Sequence, residues 1–249
     1  MGVIKLSVNP DGTYRLSDPR CRFASFDLCY GYFQTHRGKL TGVNMERSCL
    51  HLWSYLASWG MLRGSSKLLS DCSMKVMEDV VNYLSTLKNP DDWELNLGLD
   101  ENGIIDNDKS GRIIELYKEI RNTINEKIDI KATPTLVTKI MLGTLGCVPA
   151  LDRYFRKVVK IGLSQLNQDV LSKIQDFHSK PHFYVNTNKV ANIAPDVATG
   201  NDIDASVNIN IKIRVIDFSG KVTNLLYPRA KVLDMIGFSI SAGWTWQII

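Results

Sequence analysis

The chain has little of what most sequence signatures are built from. Its cysteines number five in 249 residues, Cys21, Cys29, Cys49, Cys72 and Cys147, widely spaced and with no C-x-x-C. That pattern argues against a disulfide framework or a zinc site, and the expectation is reduced thiols in a cytoplasmic protein. No apolar run approaches the roughly 18 to 20 residues of a membrane-spanning helix, so no membrane association is expected. The first thirty residues lack a long apolar segment and a small-residue cleavage pattern, so no signal peptide is evident. Internal repeats and low-complexity tracts are absent. So are G-x-x-x-x-G-K-[ST], G-x-S-x-G, H-E-x-x-H and the dinucleotide fingerprint, which argues against a conventional nucleotidase, serine hydrolase or zinc protease. No cofactor and no metal are expected.

What is present is an ordinary globular composition with an uneven charge. The net charge is +4, with 30 basic and 26 acidic residues. Residues 1–70 carry 9 bases and 4 acids, residues 71–130 carry 7 and 14, and residues 131–249 carry 14 and 8. Basic ends around an acidic middle permit a polyanion-binding face without establishing one.

Hydrophobic spacing predicts helices over most of residues 20–180. The stretch 46–62, with Asn44 as its cap, is almost wholly apolar and is expected at the centre. Trp53, Tyr55 and Trp59 fit two readings there: packed core, or the wall of a pocket for a planar ligand. Arg63-Gly64-Ser65-Ser66-Lys67 reads as a helix end, or as a backbone cradle for phosphate. Residues 91–108 hold seven acids and no base and are expected to form a solvated loop. Asp106 to Gly111 resembles half a calcium loop, but Tyr117 stands where the bidentate acid belongs, so Asp108 or Ser110 is read as a helix cap. A helix is expected from Leu163 to His178, with His178 and His182 as surface histidines. After a polar loop at 186–206, strict alternation from Val207 to Val215 predicts a strand, turned by Ser219-Gly220 toward Val222–Leu226. Pro228 then starts a last helix. One domain over 1–249 is expected, mainly α, with a helical core at about 20–180 and 225–242 and a small β-hairpin at about 207–226.

The stretch Pro134 to Lys160 reads as helix, tight turn, helix. Pro134 suits a first helical turn, and Gly143, Gly146 and Pro149 end the first helix. In the second, Leu151, Tyr154, Phe155 and Val158 face inward, and Arg153, Arg156, Lys157 and Lys160 outward. Asp152 is the one acid of the stretch. It has two readings: a helix cap, or a carboxylate with chemical work to do.

Val148-Pro149-Ala150-Leu151-Asp152-Arg153-Tyr154-Phe155 resembles the segment that bears the catalytic aspartate in the helix-hairpin-helix DNA glycosylase superfamily. The helix before it resembles the one that precedes that aspartate. The resemblance covers roughly residues 130–160 and departs in places. The Leu-Pro-Gly-Val-Gly-like hairpin is replaced by Gly143-Thr144-Leu145-Gly146, and the cysteines of iron–sulfur members are missing. It implies a glycosylase-like helical bundle that binds DNA, flips a base and hydrolyses its N-glycosidic bond. Asp152 would be the catalytic carboxylate and Lys139 the candidate for the lysine of bifunctional members. Trp53, Tyr55 and Trp59 would stack on the base, and Arg63, Lys67, Arg153, Arg156, Lys157 and Lys160 would hold the phosphates. The divergent form is similar to bacterial proteins of a phage-defence type. The alternatives are a non-catalytic nucleic-acid-binding module and a protein-interaction component of a defence system.

Overall fold

A computed structural model describes residues 2–63, 68–127, 132–180 and 211–249. Lys67, His182, the loop 186–206 and the start of the expected strand at 207–210 lie outside them. The elements in order are β1 (Val3–Val8), β2 (Tyr14–Leu16), α1 (Ala24–Thr35), α2 (Met45–Ser58), α3 (Leu68–Asp71), α4 (Met77–Thr86), α5 (Asn107–Lys127), α6 (Pro134–Thr144), α7 (Arg153–Val159), α8 (Gln168–Ser179), β3 (Arg214–Ile216), β4 (Val222–Leu226), α9 (Arg229–Ala242) and β5 (Thr245–Ile248). The protein is mainly helical, with a β-hairpin near the C-terminus, as the periodicity predicts.

The centre is α6, not the stretch 46–62. Every residue from Leu136 to Leu151 is buried, and α1, α2 and α5 pack around α6. A helix enclosed on all sides must be free of unsatisfied polar groups. Here Thr138 and Thr144 return their hydroxyl protons to the carbonyls of Pro134 and Ile140 at 2.7 and 2.8 Å. In contrast, α2 exposes Glu46, Arg47, Ser54 and Ala57 and buries one face, Ser48, Cys49, Leu52, Tyr55 and Leu56. The two helices meet closely at Gly143, where a Cβ would lie 2.3 Å from the Tyr55 ring.

Helix ends follow local chemistry, with several shifts from the sequence expectation. Asn44 precedes α2 without capping it; its amide donates instead to the Lys39 carbonyl at 2.9 Å. The helix that Asp108 or Ser110 was expected to cap starts earlier, at Asn107, and Asp106 caps it by accepting the Lys109 N–H at 3.0 Å. Ser110 is buried and joins Gly98 and Gln175. Residues 91–108 are not a plain solvated loop: Trp93, Leu95, Leu97 and Leu99 anchor them in the core, and Asp92 pairs with Arg112 at 2.7 Å. The helix expected from Leu163 starts at Gln168, because Asn167 accepts the Val170 N–H and caps it there. His178 is buried rather than on the surface.

Strand β1 pairs antiparallel with β2 and parallel with β5, so the two ends of the described chain share one sheet. The β3–β4 hairpin turns at Asp217–Gly220, and its start meets the N-terminal segment through the bridge of Tyr14 with Ile213 and the ion pair of Arg214 with Asp11 at 2.6 Å. Among the described residues no helix is long and apolar enough to cross a membrane.

Candidate functional site

The turn from α6 to α7 places Asp152 at the start of α7. Asp152 Oδ1 accepts the N–H groups of Tyr154 and Phe155, both at 3.0 Å, so it is the cap of this helix. Its other oxygen, Oδ2, lies 3.6 Å from Lys139 Nζ. Lys139 is thirteen residues earlier in the sequence, on the buried body of α6, and its side chain is only 3% exposed. Capping therefore accounts for one carboxylate oxygen, and Lys139 for the other.

Lys139 is not held by Asp152 alone. Asp234 on α9 brings Oδ1 to within 3.9 Å of the same ammonium. Asp234 Oδ1 also accepts the Ala150 N–H at 3.1 Å, and Oδ2 lies 3.6 Å from Lys231 Nζ. Lys231 is fully buried; burial pushes its amine below the usual lysine range, against the pull of Asp234. Two lysines and two aspartates thus form one buried network between α6, α7 and α9.

The indole of Trp59, just past the end of α2, closes the network on one side. Lys139 Nζ lies 4.5 Å and Lys231 Nζ 5.3 Å from its ring centroid. The exposed guanidinium of Arg22 lies 4.6 Å from the same ring. Phe23 and Phe238 make edge contacts with it, Trp244 packs edge-on against those two rings, and Tyr154 adds its ring against Phe238 at 5.1 Å. Trp59 Nε1 and Tyr55 Oη are buried and have no hydrogen-bond partner among the described residues. Burial holds the Tyr55 phenol well above its usual range, and Asp234 and Asp152 push it the same way.

Of the three aromatic residues expected at a pocket, Trp59 stands at the network. Tyr55 is inside the core, 1% exposed and packed on Gly143. Trp53, two residues from Tyr55 and so on the far side of α2, is half-buried at the edge of the core.

The basic residues divide in the same way. Arg153, Lys157 and Lys160 are exposed. Arg156 does not face outward: it is buried, and its guanidinium donates to the carbonyls of Leu151, Gly162 and Ser164. It ties α7 to the loop after it. Arg63 lines a cleft of about 370 Å³ with Met61, Thr133, Thr135, Leu163 and Arg156. That cleft lies behind the Asp152 turn, since Thr135 and Arg156 both donate to the carbonyl of Leu151.

Asp234, Lys231 and Arg22 were not singled out by sequence reasoning. A signal was present for two of them: Lys231 and Asp234 are the charged pair, three apart, inside the otherwise apolar run Ala230 to Phe238. Among the described residues no group of histidine, cysteine and carboxylate side chains is arranged to hold a metal.

Fold and site together define a class, a mainly helical protein whose buried lysine–aspartate network is roofed by an aromatic cluster. No protein-family model, no curated protein and no solved structure matches the chain.

Proposed function

We propose that the protein binds DNA and hydrolyses the N-glycosidic bond of a flipped base, with Asp152 as the catalytic carboxylate. The reading is carried by one observation: Lys139, 3% exposed, and Asp152, 20% exposed, meet at 3.6 Å beside Trp59. Buried ion pairs of this kind add little to stability compared with apolar packing of the same volume, because desolvation offsets their attraction. A network of four such groups has an explanation in chemistry that it lacks in stability.

The chemistry needs a negative charge and little else. As the bond from the sugar C1′ to the base nitrogen breaks, its electron pair leaves with the base and positive charge grows on the sugar. Asp152 Oδ2 faces that charge and stabilises it more than it stabilises the substrate. Water adds to C1′, and its proton passes through the carboxylate to the departing base. Trp59, which closes the network on one side, would offer the base the face that Arg22 covers once Arg22 moves aside. Arg153 and Lys157 on α7, Lys160 just past its end and Arg63 at the cleft supply the positive charge that a phosphate backbone requires.

A second reading, a non-catalytic nucleic-acid-binding module, draws support from the two N–H groups that Asp152 Oδ1 caps. The test is incubation with duplex and single-stranded DNA carrying normal, deaminated, oxidised and alkylated bases, followed by alkali. Strand breaks at one class of base are the expected result. Salt-sensitive binding with no breaks on the whole panel favours the second reading, and no binding at low salt overturns both.

A further inference from the structure

The ammonium of Lys139 lies between two carboxylates at nearly equal distance, 3.6 Å from Asp152 and 3.9 Å from Asp234. Neither is within hydrogen-bond range. Asp234 is itself fixed on both sides, by the Ala150 N–H at 3.1 Å and by Lys231 at 3.6 Å. Its side chain is 6% exposed, so it has no freedom to follow solvent. The Trp59 face lies 4.5 Å from the same ammonium, and the Lys231 ammonium repels it.

We infer that Asp234 is a positioning residue that draws Lys139 partly away from Asp152 and so leaves the Asp152 carboxylate able to act on a cation. An ammonium in full contact with a carboxylate cancels most of the field that the carboxylate offers to a third charge. An ammonium shared between two carboxylates leaves part of each field uncancelled. Asp234 also grips Ala150, two residues before Asp152, so one side chain on α9 sets the backbone of the turn and the charge balance within it. The role in catalysis rests on the glycosidase reading; the sharing of Lys139 does not.

The variant that separates these functions is Asp234→Asn. The amide oxygen still accepts the Ala150 N–H, so the turn is kept, but the competing charge is gone. Lys139 then pairs with Asp152 alone.

The protein's own stability reports this without any substrate. The coupling between Lys139 and Asp152 is measured by urea unfolding of Lys139→Met, Asp152→Asn and the double variant, first in the wild-type background and then in Asp234→Asn. The coupling is expected to at least double when Asp234 is Asn. If it stays the same or falls, Asp234 does not compete for Lys139 and the inference is overturned. Lys139→Gln replaces Lys139→Met if the latter does not fold.

The activity arm uses the base found by the alkali assay. Asp234→Asn is expected to lower kcat at least tenfold with KM within twofold, and Asp234→Glu to recover part of the loss. An unchanged kcat in Asp234→Asn overturns the catalytic part of the inference. Absence of base release in the wild type overturns the proposed function, while the stability cycle still decides whether Lys139 is shared.

Discussion

Asp152 shows how one residue satisfies two demands at once. The backbone requires an acceptor at the start of α7, and Oδ1 supplies it. Lys139 requires a counter-charge in the core, and Oδ2 supplies part of it. Capping and catalysis are alternative roles for Asp152 on the sequence, yet the geometry allows both. It also changes what Asp152→Asn should do. Asparagine retains the cap, and Lys139 keeps Asp234, but one of two buried-site charges is lost. A stability loss on the order of 1 kcal/mol is expected, larger than a cap replacement alone would cause. Base release should fall at least a hundredfold while DNA affinity stays within a factor of two, because the missing interaction belongs to the transition state. Melting, binding and abasic-site formation on one substrate check the three parts. Equal base release by the two proteins removes Asp152 from the catalytic role.

At the scale of elements, the β3–β4 hairpin is attached to α1 by a buried acid. Asp27 accepts the Ile216 N–H at 2.9 Å through Oδ1 and the Tyr227 hydroxyl at 2.5 Å through Oδ2. Burial pushes its carboxyl up from 3.8 to about 7, against the opposing pull of those two donors and Lys231. The folded protein therefore holds a proton that the unfolded chain has already released. This group's contribution to stability is complete below about pH 4 and is lost as pH rises through about 7, with a total on the order of a few kcal/mol. Asp27→Asn keeps an acceptor for Ile216 and removes the titration. Wild type should lose stability relative to Asp27→Asn between pH 5 and 8, read as the difference between their melting midpoints. A constant difference across that range would show that Asp27 does not titrate there.

Over the whole molecule, the charge that would meet DNA is spread on exposed side chains, whereas the charge that would do chemistry is buried. Arg153, Lys157 and Lys160 belong to the first group and Lys139 and Asp234 to the second, while the buried Arg156 is structural. Reversing Arg153, Lys157 and Lys160 together should reduce the slope of log binding constant against log salt by about three, with little change in melting. Arg156→Ala should instead cost about 2 to 3 kcal/mol, because the Gly162 and Ser164 carbonyls lose this donor and Leu151 keeps only Thr135. Salt titrations of DNA binding beside urea unfolding separate the two. A salt slope unchanged by the triple reversal would move the DNA face elsewhere on the protein.

Local chemistry alone carries much of this fold. The Asp152 cap, the Pro134 start, the hairpin turn and the one-sided burial of α4 are written in nearest-neighbour patterns, whereas α6 and α9 are buried nearly all round. Asp152 was legible as a cap because a carboxylate before a helix has a local meaning, whereas Lys139 was singled out only through the resemblance to the glycosylases. Contacts made by residues distant in sequence were not legible. No short-range pattern says that β5 returns to lie parallel to β1, since parallel pairing is set by packing at the far end of the chain. Nor does one say that Asp234, 82 residues after Asp152, shares the ammonium of Lys139. Arg156 fell on the polar side of a helical wheel, yet the loop that follows folds back and buries it. Local sequence was enough for the mainly helical class, for the starts of α2, α6, α7 and α9, and for naming charged residues that could carry a role. The tertiary structure decided which of those residues meet, because burial and ion pairing depend on what the rest of the chain brings to the same few ångströms.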